Sequence, residues 1–460
     1  MKSKHSLAIR GGVVASAGQA VSLLMSLLTA VLLSRLLGPS DFAIYAICLS
    51  LTVALSPICQ MGINAWLISR QQIPSNREFE IALGGMLIIS MIVVSLTVLA
   101  LPFLEEFSKV YGMFLAGVFT VCLIPLEIIA LPASTRLERE LNYKKLTSIT
   151  LSSQFIGQIL GLIIAYLGCG VWGPLIGWLA RSAYFCIACW MAIKHFPKVE
   201  WNFIELQKML RFGLGQTISL TLNSGRNLLF LGLIGRWHGV DAVGIVAFSI
   251  RVAEFITPLR VVAARMIVPI LAPFSDKTQV MNTGQRKAAE VEILISVPLV
   301  ICGGFLYFVV VLPLIGFSWK DTLIVLPWIL IGKILVIPHS AAISAINMKG
   351  HFVPTIAITM LGLIIEAITL SVLGDAYGLE GIGASTIIFW LVALMAHWFA
   401  VKKLSFSWNR HAQLWSWAGV CACLSFIFGP VFIIGILIIL IITWREIRNL
   451  INEIFISYLK

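Results

Sequence analysis

Twelve long apolar runs follow one another along this chain with only short polar segments between them, and a thirteenth closes it. They lie near 11–33, 42–68, 80–103, 111–132, 147–168, 171–193, 213–234, 244–272, 290–315, 322–346, 354–373 and 380–401. The last, 414–444, is broken by Gly429-Pro430 and reads as two short spans. A hydrocarbon core about 30 Å thick is crossed by about 20 residues of helix, and inside it every backbone N–H and C=O must be satisfied within the protein. The runs therefore predict an all-α, polytopic transmembrane bundle of about fourteen helices, thirteen being the nearest competing count. With 59% hydrophobic residues, 12% charged residues and a mean hydropathy of +0.97, the chain lies well outside the range of soluble domains.

Orientation follows from the basic residues, because Lys and Arg gather in cytoplasmic loops. With the N-terminus in the cytoplasm, 23 of the 33 Lys and Arg fall in inside segments and 4 outside, namely Arg35, Lys109, Arg236 and Lys320. Both termini are then cytoplasmic. The net charge of +12 is dispersed in short clusters between apolar runs, which orients helices and argues against nucleic acid as a partner. The first run follows Lys2, Lys4 and Arg10 and is long enough to remain as a span, so no cleaved secretion signal is expected. Of the nine cysteines all but Cys169 sit in apolar runs, and the Cys186-x-x-Cys189 pair reads as small buried hydrophobes.

Six basic residues remain inside the spans: Arg181, Arg226, Arg251, Arg260, Arg265 and Lys333. Spans one to five carry none. A charged side chain at the bilayer centre costs roughly 2.5–3.5 kcal/mol on the insertion scale, so these must face protein or water. At about 100° per residue, Glu254, Pro258 and Arg265 fall within about 60° of Arg251, forming one charged stripe, with Arg260 on the opposite face. Two roles fit such a stripe: contact with an anionic cargo, or structural ion pairing. The intramembrane carboxylates Glu127, Glu254 and Glu366 are candidates for ion coupling, since burial raises a carboxyl pKa and lets it carry a proton. His339 and His397 also lie in spans, each read as a hydrogen-bonded core histidine.

A shift of 201 residues aligns Arg10 with Arg211, Arg35 with Arg236, Gly38 with Gly239 and Pro57 with Pro258. The copies share one orientation, so the expectation is two pseudo-symmetric six-helix lobes about an axis along the membrane normal, with a central cavity between them. The first lobe is 1–193 and the second 213–401. A cytoplasmic connector over 194–212 carries Trp201, Phe203, Leu206, Met209 and Leu210 among charges at helical spacing, as a helix lying on the membrane surface would. A C-terminal helix pair and cytoplasmic tail fill 402–460.

At LLSRLLGPSDFAIYAI (32–47), LERELNYKKLTSITLSSQFIGQILGLIIAYLGCGVWGPLIG (137–177) and LRFGLGQTISLTLNSGRNLLFLGLIGRWHGVDAVGIVAFSIRVAE (210–254), the chain resembles the Wzx-type oligosaccharide flippases of bacterial polysaccharide biosynthesis. These share a superfamily with the multidrug and toxin extrusion antiporters and the lipid II flippase. The resemblance implies alternating access in the cytoplasmic (inner) membrane. Its cargo would be an undecaprenyl-pyrophosphate-linked oligosaccharide, serving exopolysaccharide, capsule or O-antigen synthesis. Membrane lipids surround the protein, and a polysaccharide polymerase and a chain-length regulator are the implied partners. Arginine pairs bidentately with phosphate oxygens, so Arg251, Arg226, Arg181 and Arg265, with Lys333, are the candidate substrate-binding residues. No cofactor or metal is expected, and no enzymatic activity.

Two other readings compete. A cation-coupled multidrug antiporter would want an acid-lined cavity, whereas six buried basic residues here face three clear buried acids. A membrane-embedded polysaccharide polymerase would want a sizeable outer loop domain, and no outside loop exceeds about ten residues. A non-transporting scaffold would leave the charged stripe unexplained. No Gly-rich phosphate loop follows a strand, so any energy comes from an ion gradient or from downstream polymerisation.

Overall fold

The computed structural model describes residues 2–69, 74–194, 198–254, 278–348, 352–404 and 408–429, with 434–435, 438–439, 441–443 and 448. Among the described residues there are helices and no strand, and ten helices are long and apolar enough to cross a membrane. The chain divides into two compact units, 1–255 with 315–319 and 256–314 with 320–460.

The first unit contains α1 (Lys2–Gln60), α2 (Ile63–Ser69), α3 (Asn76–Ser108), α4 (Met113–Cys122), α5 (Ile124–Arg139), α6 (Tyr143–Ile164), α7 (Trp172–Ile193), α8 (Phe203–His238) and α9 (Val240–Ala253). Helix α1 joins the two predicted spans 11–33 and 42–68 across a break at Gly38 (φ 73°, ψ 172°). Pro39 disfavours helical backbone in the residue before it, and glycine accepts the positive φ at no steric cost. The junction of α8 and α9 breaks in the same conformation at Gly239 (φ 88°, ψ 172°). The shift of 201 residues thus aligns two backbone breaks of one shape. Pro39, just after the first break, also packs on α9: a Cβ on Gly244 would stand 2.0 Å from its carbonyl oxygen.

Helix α8 absorbs most of the predicted connector. Asn202 caps it, its side chain accepting from the N–H groups of Ile204 and Glu205, and the helix then runs without interruption to His238. Leu206 and Met209 are buried while Trp201 and Phe203 are exposed. Leu206 packs on Gly85 of α3, which gives the apolar side of this segment a protein partner.

Helices α6 and α7 approach most closely. Gly157 and Gly161 of α6 face Gly173 and Gly177 of α7, and a Cβ on Gly177 would lie 2.4 Å from the Gly157 carbonyl oxygen. In lipid, where apolar burial gives helices little reason to associate, such small-residue faces let backbones touch and dispersion act. The segment Ile315–Trp319 completes the unit. Trp319 is fully buried, its ring centroid 5.5 Å from that of Phe42 and 4.8 Å from that of Phe248, and its indole N–H donates to the Ser34 carbonyl at 2.9 Å.

In the second unit the helix Thr322–Met348 is central. Its window Thr322–His339 is 72% buried, against 17–44% for the other spans, because five neighbours wrap it: Thr278–Leu306, Phe352–Tyr377, Leu379–Ser385, Ile388–Leu404 and Arg410–Phe428. His339 and His397, read from the sequence as separate core histidines, are one pair, their Nδ1 atoms 3.2 Å apart. Trp408 stacks on His397 at 4.3 Å. The expected break after Phe428 is present at Gly429 (φ 94°, ψ 179°).

Candidate functional site

A cavity of about 260 Å³ opens inside the first unit, among α1, α6, α7, α8 and α9. Neutral polar groups supply much of its wall, including Ser26 and Ser50 of α1, Gln154 and Gln158 of α6, and Ser224 and Asn227 of α8. Tyr45 and Trp178 add aromatic surface. Three charged residues line it, Arg181, Arg251 and Glu254, leaving one positive charge in excess.

Each charge is placed by its helix. Arg251 stands in the last turn of α9 and Glu254 is the residue that caps that helix. Their spacing of three residues puts them on one face, and Arg251 Nη1 lies 3.1 Å from Glu254 Oε2. Arg251 Nη2 donates to Ser26 Oγ at 2.7 Å, which ties α9 to the first arm of α1. Both side chains of the ion pair remain about one third exposed, toward the cavity. Arg181 differs. It sits near the middle of α7, exposed on the cavity wall, and among the described residues it has neither an ion-pair nor a hydrogen-bond partner. A guanidinium at that depth is held there by cavity polarity rather than by a counter-charge.

The wall on α6 and α7 is built by the glycine contact. With Gly157 and Gly177 touching, Gln154 and Gln158 of α6 are brought beside Trp178 and Arg181 of α7. Gln154 is buried; its Nε2 donates to the Ser22 carbonyl at 2.7 Å and its Oε1 accepts from Ser22 Oγ. Behind the wall, Glu127 of α5 accepts through Oε1 from Trp178 Nε1 at 2.8 Å and from Ser182 Oγ at 3.1 Å. Glu127 is not itself a lining residue.

Of the substrate-binding residues expected from the sequence, the cavity brings together Arg181 and Arg251, with Glu254 of the expected ion-coupling set. Arg226 is half-buried on α8, one residue before Asn227 and outside the lining. Lys333 and Glu366 belong to the second unit, half-buried and buried respectively. Arg265 and Pro258 of the predicted stripe, and Arg260 on the opposite face, lie outside the described residues. Sequence reasoning did not single out Ser26, Gln154, Gln158 or Trp178. Their signal is the pair of small-residue patterns, Gly157-x-x-x-Gly161 and Gly173-x-x-x-Gly177, in consecutive spans.

A family model described as polysaccharide biosynthesis protein matches residues 32–324, well over half of the chain. The chain belongs to that family. The resemblance carried by the blocks at 32–47, 137–177 and 210–254 points the same way. Within polysaccharide biosynthesis, the succinoglycan biosynthesis transport protein ExoT of Rhizobium meliloti (strain 1021) is 22% identical over 334 residues, 71% of this chain. The matched region spans 66% of that relative's length. Among solved structures, the lipid II flippase MurJ in an inward closed conformation aligns with a TM-score of 0.69 at 17% identity, over 95% of this chain and 100% of that one. A multidrug resistance MATE family transporter of the MOP superfamily, in an inward-facing conformation, aligns at 0.53 and 16% identity, over 86% of this chain and 94% of that one. At these identities the likeness establishes a shared multi-pass helical fold.

Proposed function

We propose that the chain is a flippase that carries an undecaprenyl-pyrophosphate-linked oligosaccharide across the bacterial cytoplasmic membrane by alternating access, with both termini in the cytoplasm. Family membership, a relative named for succinoglycan transport and the MurJ-like fold support this reading. The observation that carries it is Arg181, a guanidinium without a counter-charge among the described residues, on the wall of a cavity lined by apolar and neutral polar side chains. A pyrophosphate loses part of its hydration on entering such a cavity. Arg181 replaces it with a bidentate, charge-assisted contact, and Arg251 adds a second cation partly offset by Glu254. The polyprenyl tail stays in lipid, and a polymerase with its chain-length regulator takes up the product at the outer face.

The test is translocation in proteoliposomes, with a polyprenyl-pyrophosphate-linked oligosaccharide and a lipophilic cationic dye run in parallel. The expected result is movement of the glycolipid and none of the dye. Movement of the dye alone would make the chain a cation antiporter instead.

A further inference from the structure

The carboxylate of Glu127 lies in a membrane span, where an acid is costly unless its position serves something. It is not on the cavity wall. Its Oε1 holds two groups of α7, Trp178 Nε1 at 2.8 Å and Ser182 Oγ at 3.1 Å, one helical turn apart. An indole has a single donor. With that donor spent on Glu127, the rest of the Trp178 ring is fixed as a hydrophobic panel in the wall. The same wall carries Gln158, a carboxamide that both donates and accepts, and Arg181, three residues further along α7, while the amide of Gln154 is turned to Ser22.

An immobilised aromatic face on a wall that also carries a carboxamide suits a sugar ring, whose apolar C–H face stacks while its hydroxyls exchange hydrogen bonds with the amide. A pyrophosphate alone has no use for the panel. We infer that Trp178 is a stacking platform for a pyranose ring of the cargo, next to the anion position at Arg181. Glu127 is the positioning residue that holds this platform. The inference rests on the flippase reading and assigns its sugar subsite to the α6–α7 wall. It also gives Glu127 a role other than the ion coupling expected from the sequence.

Two measurements in proteoliposomes test it. The first is the concentration dependence of translocation for a fluorescent polyprenyl-pyrophosphate oligosaccharide. The second is competition by the same polyprenyl pyrophosphate without sugars. For Trp178→Ala the KM of the glycosylated carrier rises about tenfold, the scale of one lost ring contact, while the inhibition constant of the sugar-free carrier stays within about twofold of wild type. Trp178→Phe recovers part of the loss. Glu127→Ala behaves like Trp178→Ala, and Glu127→Gln, whose amide oxygen still accepts from the indole and the hydroxyl, is rescued relative to it. An unchanged inhibition constant also shows that each variant is folded. If Trp178→Ala weakens both carriers equally, there is no sugar platform here. If Glu127→Gln is as inactive as Glu127→Ala, the carboxylate is needed for its charge or its proton, and the positioning role falls. A wild-type protein that moves no glycolipid would overturn the flippase reading itself, a result distinct from either.

Discussion

Gly157 and Gly177 touch through their backbones, on helices whose intervening turn is a π-helical stretch at Ala165–Cys169. That contact sets the spacing of the wall from which Gln154, Gln158, Trp178 and Arg181 reach the cavity.

Adding a methyl at this contact separates α6 from α7. Gly177→Ala is expected to lower thermal stability by about 1–3 kcal/mol, the usual cost of overpacking, and to reduce transport. Gly232→Ala on α8 is the control: its new Cβ meets nothing within 4 Å, and replacing a helical glycine adds up to about 1 kcal/mol. Melting curves in detergent check both. Equal melting temperatures for Gly177→Ala and wild type would show that the crossing has slack.

The lone cation of the wall should govern affinity for the pyrophosphate. Arg181→Ala is expected to weaken the glycosylated and the sugar-free carrier together, by roughly ten- to a hundredfold, as loss of a charge-assisted contact would. Arg181→Lys keeps the charge and loses the fork, so it recovers only part. Concentration-dependent transport reads both, and an unaltered KM for Arg181→Ala removes this residue from the site.

Arg251 and Glu254 predict opposite effects. Glu254→Gln leaves the cavity with two uncompensated cations instead of one, so an anionic carrier binds more tightly and leaves more slowly: KM and kcat both fall. Arg251→Ala removes the tie to Ser26 and strands a carboxylate, and transport is lost while the protein stays in the membrane. Arg251→Lys retains a fraction. Transport per molecule of membrane-inserted protein separates these outcomes.

Trp319 anchors the Ile315–Trp319 segment to the first unit. Trp319→Ala leaves a void between Phe42 and Phe248 and removes the indole donor from the Ser34 carbonyl, a loss of about 3–5 kcal/mol. Trp319→Phe forfeits chiefly the hydrogen bond, about 1 kcal/mol. Thermal unfolding should rank wild type, Phe and Ala in that order.

The helical architecture was legible because its signal is local. A run of apolar residues long enough to cross lipid has few ways to satisfy its backbone, and three of the breaks fall at glycines beside proline or at a repeat-related partner: Gly38, Gly239 and Gly429. Arg251 and Glu254 stood out for the same reason, since a charge in an apolar run is conspicuous and a spacing of three predicts their pairing. What the charges do was decided by tertiary structure. Ser26 lies 225 residues before Arg251, Trp178 lies 51 after Glu127, and His397 lies 58 after His339. Within one helix, periodicity states which residues share a face. It does not state which helix that face meets, because crossing partners are chosen by side-chain volume along the whole contact. Thus the sequence marked Arg181 and Arg251 as cations inside spans and put Glu254 within reach of Arg251, and only the packed helices tied Arg251 to Ser26 and left Arg181 without a partner among the described residues.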